Sequence, residues 1–234
     1  MIEPKVAIYM IPGWGFYSDL FQYSELNEFT YVGLDYFNEE NLSLQSISRV
    51  LAIRIPNHST ILGWSFGGLI AITLAYLFPD KVKKLILLAS QPKFLEDLFW
   101  KGITHKIADH FVETAQYNFK QLKTSFISLV NYPSHNSKYK KHLEKNYITH
   151  HDVALVKLLK VMFSTDLRHE YQAIKSKILH IVSNRDAVLP QTQHQLRQLK
   201  SNVEIVSLDK VGHAGFLTHG KVYRDIIKNF LSNE

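Results

Sequence analysis

An α/β fold, a mostly parallel doubly wound sheet of about six strands with an inserted helical lid, is what this 234-residue sequence predicts. Three observations carry the prediction. Short apolar, β-branched runs alternate with segments of helical periodicity near both ends of the chain. One of those runs passes through a glycine-rich turn straight into an apolar helix. Between about Pro92 and Asp166 the alternation stops, and helical periodicity continues alone.

In chain order, Lys5–Ile11 is a β-branched, apolar strand, and Tyr31–Leu34 is a shorter one ending at Asp35. Leu42–Ile55 repeats its apolar residues at helical spacing through Leu44, Ile47, Val50, Leu51 and Ile55, and stops at Pro56. Ser59–Leu62 reads as a buried strand, and Leu69–Phe78 as a helix that Pro79 ends. Lys84–Ala89 is an apolar run of the parallel-sheet type. The interrupting stretch places Phe119, Leu122, Phe126, Ile127, Leu129 and Val130 at three-to-four spacing, then runs into a polar loop around Asn131–Lys141. Strands return at Ile178–Ser183 and Val203–Leu208, separated by a helix over roughly Gln191–Leu199. An amphipathic helix near Val222–Leu231 closes the chain. The expected division is a core of residues 1–91 and 167–234 with a helical lid of residues 92–166. Such a lid would cover the C-terminal edge of the sheet, where ligands bind in open α/β folds.

Composition narrows the function. The chain has no cysteine, which excludes disulfides, thiolate metal sites and a cysteine nucleophile. No stretch approaches the roughly 18 apolar residues of a membrane span, and Pro12-Gly13 interrupts the first apolar run too early for a signal peptide. A cytoplasmic protein with no membrane attachment is expected. The net charge of +6 is uneven: residues 93–160 hold eleven lysines against six acidic residues, and six of the twelve histidines. That stretch is either a solvated face or a surface that attracts an acidic partner. Nucleic acid fits poorly as that partner, because arginine is scarce and no binding motif is present.

The turn Gly63-Trp64-Ser65-Phe66-Gly67-Gly68 lies between the strand Ser59–Leu62 and the helix Leu69–Phe78. A G-x-S-x-G on a strand-to-helix turn resembles the nucleophile elbow of the α/β-hydrolases. It holds the serine in a strained backbone conformation with its hydroxyl projecting from the sheet, and Gly63 and Gly67 supply the space that requires. The Phe66 amide, in the first helical turn, can then point at an oxyanion. The plainer reading is a strand–turn–helix crossover with packing glycines.

A serine hydroxyl needs a base, and the base needs an orienting group. In this fold the chain order is Ser, then Asp or Glu, then His. Asp186 follows the strand Ile178–Val182, and His213 follows the last strand. Both positions fall on the strand ends that carry Ser65. Among the competitors, His180 lies within a strand and reads as a satisfied core residue, while His219 starts the last helix and caps it or faces solvent. His150-His151 has no carboxylate spacing to suggest a metal, so no metal and no organic cofactor are expected. Asp209 and Asp166 are the weaker acid candidates. A second oxyanion donor should come from the loop after the first strand, Pro12-Gly13-Trp14-Gly15-Phe16, with the Trp14 amide as the expected group.

The chain is similar to the pimeloyl-[acyl-carrier protein] methyl ester esterases of biotin synthesis over nearly its whole length. The matching pieces are GWG at 13–15, GWSFGG at 63–68, WKGI at 100–103, SFISL at 125–129, TDLR at 165–168, RDAVLP at 185–190 and HAGFLTH at 213–219. The resemblance implies an esterase with Ser65, Asp186 and His213 as triad, and Trp14 and Phe66 beside the oxyanion. It further implies Phe126, Ile127, Ser128, Leu129 and Val130 along the acyl chain, and an acyl-carrier protein docked on the basic lid. A monomer is expected. Three departures accompany the likeness. The leading antiparallel strands usual in the fold are not expected, the loop after the second strand reads Asp35-Tyr36-Phe37-Asn38, and Gly215 replaces the usual proline. The same machinery could serve a general short-chain carboxylesterase, a thioesterase or a carbon–carbon bond hydrolase. A catalytically silent binding fold is the remaining alternative, and loss of a triad member would be its sign.

Overall fold

A computed structural model describes residues 7–37, 41–190 and 192–233. The parts of the expected elements at Lys5, Val6 and Gln191, and Asn38 of the second-strand loop, lie outside the described residues. Six strands form one sheet in the order β2-β1-β3-β4-β5-β6. They are β1 (Ala7–Ile11), β2 (Thr30–Gly33), β3 (Ser59–Trp64), β4 (Val82–Leu88), β5 (Lys177–Ser183) and β6 (Glu204–Leu208). Every neighbouring pair is parallel. All six residues of β3 are buried, as expected for a central strand covered on both faces, whereas the edge strand β2 alternates exposed and half-buried residues.

The helices are α1 (Leu44–Arg54), α2 (Phe66–Leu77), α3 (His105–Tyr117), α4 (Phe119–Asn131), α5 (Ser137–Lys145), α6 (Asp152–Ser164), α7 (Arg168–Ala173), α8 (Gln193–Leu199), α9 (Gly215–Thr218) and α10 (Gly220–Ser232). Their starts follow from local chemistry. The side chains of Ser43, Thr104, Asn118 and Asn136 each accept from an amide of the first turn of α1, α3, α4 and α5. The cap at Asn136 corrects the expectation of a polar loop over Asn131–Lys141, because α5 begins at Ser137. Only Leu143 of α5 is buried, so the helix has no apolar stripe to betray it.

The switch in strand order lies between β1 and β3, which are neighbours although β1 leads on to β2 and β3 follows α1. In open α/β sheets that crevice, beyond the C-terminal strand ends, is where ligands bind. Helices α3 to α6 are inserted between β4 and β5. The insertion leaves and rejoins the core at one place. Lys93 bridges Asp166, and the Leu167 amide donates to the carbonyl of Pro92 at 2.9 Å. Lys93 and Arg168 both reach Asp97, at 2.6 and 2.8 Å, and Arg168 also grips Asp166 at 2.6 Å. The hydrogen bond from Lys93 is the main reason the Asp97 carboxyl titrates at about 2.

Two buried ionisable groups stand out. Lys84, 7% exposed, donates from Nζ to the carbonyls of Phe230, Leu231 and Asn233 at 3.1, 2.8 and 2.8 Å. It thereby ties β4 to the C-terminal end of α10, where the helix leaves its last carbonyls without partners. His180 is fully buried as expected, but not satisfied. Neither ring nitrogen has a hydrogen-bond partner among the described residues, and its nearest ring is Tyr171 at 5.5 Å. Burial alone pushes its titration down to about 3, which keeps the imidazole neutral.

Candidate active site

Ser65 sits between β3 and α2 with φ 53° and ψ −122°. A non-glycine residue at positive φ is costly, so the surroundings must hold it. They do: the Ser65 amide donates to Leu88 O at 2.9 Å, and its carbonyl accepts from the Gly68 amide at 2.8 Å. A Cβ on Gly67 would lie 2.4 Å from the carbonyl oxygen of Ile11, and one on Gly63 2.6 Å from that of Gly67. Glycine is therefore required at both positions for the turn to close on β1.

Three of the residues singled out in the sequence meet at the C-terminal ends of the strands. His213 Nε2 lies 2.9 Å from Ser65 Oγ, and His213 Nδ1 lies 2.8 Å from Asp186 Oδ2. The second Asp186 oxygen accepts from the amides of Val188 and Leu189 at 2.8 and 2.9 Å. With its carboxylate so held, Asp186 draws the imidazole proton to Nδ1, which leaves Nε2 to accept from the serine. Ser65 is 4% and His213 1% exposed, so this chain of bonds is shielded from bulk water. The competing acids are engaged elsewhere: Asp209 with the Asn184 side chain, Asp166 with Lys93 and Arg168. His219 is exposed, and its side chain makes no cap to α10.

Main-chain bonds fix the loops to one another. The amides of Asn184 and Arg185, just ahead of Asp186, donate to Leu208 and Val211, and the Lys210 amide donates to the Asn184 side chain at 2.7 Å. Trp64 donates from Nε1 to the carbonyl of His213 at 3.0 Å.

The loop after β1 turns back through a bond from the Phe16 amide to Gly13 O, 3.2 Å, with Gly15 at φ 79°. That positive φ calls for glycine, and a Cβ there would meet the Tyr147 ring. Trp14 is buried, and its Nε1 donates to Leu155 O in α6 at 2.8 Å. A Cβ on Gly13 would come within 3.3 Å of Ser65 Cβ, so the Gly13-Trp14 backbone runs beside the serine. Phe66 opens α2, and the first amides of a helix have no carbonyl within it to bond. Tyr36, which no motif marks in the sequence, lies 0% exposed beneath this loop, with its hydroxyl 3.3 Å from Gly13 O.

A cavity of about 310 Å³ opens from Ser65 beneath the inserted helices. Apart from Ser65, Thr104 and Asp186, the side chains lining it are apolar or aromatic. Of the five residues implied to follow an acyl chain, Phe126 and Leu129 line it, while Ile127, Ser128 and Val130 do not. The reason is helical geometry. Five consecutive residues of α4 point around the whole axis and cannot all face one cavity; Phe126 and Leu129, three apart, share the face that does. Ile127 and Val130 are buried elsewhere, and Ser128 is exposed, donating to Thr124 O at 2.9 Å. Sequence reading missed the opposite walls, Ile103, Ile107 and Phe111 on one side and Leu159, Met162 and Phe163 on another. The apolar spacing of α6 was the available signal for the last three. Among the described residues, no three His, Asp or Glu side chains converge as a metal site, and no helix is long and apolar enough to cross a membrane.

A parallel sheet in this order, with a serine elbow, a histidine and a carboxylate on its C-terminal edge, defines an α/β-hydrolase. The chain belongs to the alpha/beta hydrolase fold family, which matches residues 46–220. Within it, the chain is similar to proteins named pimeloyl-[acyl-carrier protein] methyl ester esterase. The one from Wigglesworthia glossinidia brevipalpis is 29% identical, covering 81% of this chain and 76% of that protein. The one from Pseudoalteromonas atlantica is 29% identical, covering 95% and 93%. Among solved structures, a hydrolase from Oleispira antarctica superposes with a TM-score of 0.87 at 17% identity, covering 99% of this chain and 92% of that one. An esterase from Exiguobacterium antarcticum gives 0.83 at 17% identity, covering 97% and 92%. At such identities the structures speak for the fold alone.

Proposed function

We propose that this chain is a serine carboxylic ester hydrolase that cleaves the methyl ester of pimeloyl-[acyl-carrier protein], releasing methanol and the free acid in biotin synthesis. The observation that carries the esterase reading is the run of bonds Asp186–His213–Ser65 opening onto an apolar cavity. His213, oriented by Asp186, takes the Ser65 proton as Oγ attacks the ester carbonyl. The amides of Trp14 and Phe66 receive the oxyanion, each such donor being worth about 3–4 kcal/mol. Collapse of the tetrahedral species expels the alcohol, protonated by His213. Water, deprotonated by the same imidazole, then hydrolyses the acyl-enzyme. No step calls on a metal or an organic cofactor.

The names of the relatives support the particular substrate. The cavity is suited to it. Its apolar walls favour an uncharged methylene chain, and among the described residues no cationic side chain lines it to hold a second carboxylate. The inserted helices act as a lid, and their charge supports an acidic carrier as partner. Lys101, Lys106, Lys120, Lys141 and Lys157 are exposed and make no salt bridge among the described residues. We propose that the enzyme works as a monomer in the cytoplasm.

The test is conversion of methyl pimeloyl-[acyl-carrier protein] by the wild type and by Ser65→Ala, followed through the mobility of the carrier. Turnover by the wild type alone supports the assignment. Cleavage of small p-nitrophenyl esters without turnover of the carrier-bound ester would leave a general short-chain carboxylesterase or thioesterase. If the lid docks the carrier, turnover of the carrier-bound ester falls steeply with salt while that of a small ester does not.

A further inference from the structure

The loop after β2 begins Asp35-Tyr36-Phe37, and its side chains brace the loop that follows β1. We propose that Tyr36 is a positioning residue for the oxyanion site, acting through the Gly13–Trp14 peptide. The proposal rests on the reading above, in which the Trp14 amide is an oxyanion donor.

The Tyr36 hydroxyl lies 3.3 Å from Gly13 O and 3.4 Å from Pro12 O, within hydrogen-bonding reach of both carbonyls. Gly13 O also accepts from the Phe16 amide at 3.2 Å. A peptide unit is planar and trans, so its N–H points opposite to its C=O. Holding the carbonyl of Gly13 therefore sets the direction of the Trp14 N–H, in a segment whose backbone lies against Ser65. Donation to the carbonyl also polarises the unit and strengthens its N–H as a donor. The Tyr36 ring also sits 5.8 Å from that of Phe66, so one side chain reaches both the carbonyl of the Gly13–Trp14 peptide and the residue that supplies the other oxyanion amide.

Tyr36 is itself fixed from behind. Asp35 accepts from the Ser18 amide and hydroxyl at 2.7 and 3.1 Å, and Arg54 donates to the Asp35 carbonyl at 3.1 Å. Burial raises the phenol's ionisation well above its usual range, so the hydroxyl keeps the proton it donates.

Tyr36→Phe removes one oxygen and keeps the ring. Four quantities would be measured: kcat and KM for p-nitrophenyl butyrate, the inhibition constant of a trifluoromethyl ketone, and the melting temperature. The wild type and Ser65→Ala run alongside. The expected result is a fall in kcat of about tenfold with KM within twofold, because only transition-state binding is lost. The ketone, whose adduct carries the oxyanion, should weaken by a similar factor. Unchanged kcat and ketone affinity would overturn the proposal, as would a rise in KM alone or loss of a cooperative melt, which would assign the hydroxyl to the fold. Ser65-dependent turnover by the wild type separates such a failure from failure of the esterase reading, since the reading then survives. Absence of that turnover would remove both.

Discussion

The indole of Trp64 bonds the main chain of His213, residue to residue across 149 positions of sequence. The residue before the elbow serine thus holds the loop carrying the histidine, and the two rings lie 5.6 Å apart. Strand end and loop form one rigid unit around the Nε2–Oγ contact.

Trp64→Phe should leave the His213 carbonyl buried without that donor, which costs on the order of 1–3 kcal/mol. Because the loop loosens next to the reacting atoms, kcat should fall while KM holds. Steady-state kinetics with a thermal melt checks this. A lower melting temperature with unchanged kcat would mean that His213 is placed by Asp186 alone.

The conformation of Ser65 makes a second prediction. A side chain at φ 53° carries strain of about 1–3 kcal/mol, partly offset in glycine by the entropy of a freer unfolded chain. Ser65→Gly should therefore be more stable than Ser65→Ala by about 1 kcal/mol, with both inactive. Chemical denaturation of the pair decides it, and equal midpoints would show an unstrained elbow.

His180 predicts a pH response of the whole fold. Its folded titration point, about 3, lies below the ordinary 6.5, so the unfolded chain binds the extra proton first. The stability it permits is full above about pH 6.5 and is lost as pH falls from there toward 3. Between pH 7 and 5 this amounts to about 2 kcal/mol. His180→Phe should flatten that part of the stability curve. Parallel curves for variant and wild type would place the acid sensitivity elsewhere.

Lys84 lies near the start of β4, at the end of the sheet away from Ser65. Lys84→Met keeps the stem but withdraws the three bonds to the end of α10, and should cost on the order of 1–3 kcal/mol. Turnover per folded molecule should not change. A loss of kcat in folded protein would contradict that separation.

Much of this molecule can be read from its sequence, and the unread parts share a cause. Strands β3, β4 and β5 declare themselves because burial along most of their length favours apolar, β-branched runs, and β1 by the same bias at its C-terminal end. The turn at Ser65 declares itself because the close approach of Gly67 to β1 admits only glycine. The order Ser65, Asp186, His213 singles out side chains that the structure does bring together. Elements with a weak demand on side chains stay hidden: the short helical turns at Ser18–Tyr23 and Glu25–Glu28 have no period to detect, and α5 buries one leucine. The cavity is hidden for another reason. Its walls come from segments far apart in the chain, so Phe126 can be found by likeness, while the spacing of α6 marks Met162 as apolar-facing without telling what it faces. A general rule for core histidines also failed at His180, because burial in a strand says nothing about what faces the ring.

The paired exit and return of the inserted helices at Lys93 and Asp166 has a consequence for ancestry. A segment whose two ends leave and rejoin the core side by side can lengthen, shorten or exchange its lining without disturbing strand register. Selection can then tune which acyl groups enter while the machinery that cleaves them is inherited unchanged, so descendants can diverge in diet long before they diverge in chemistry.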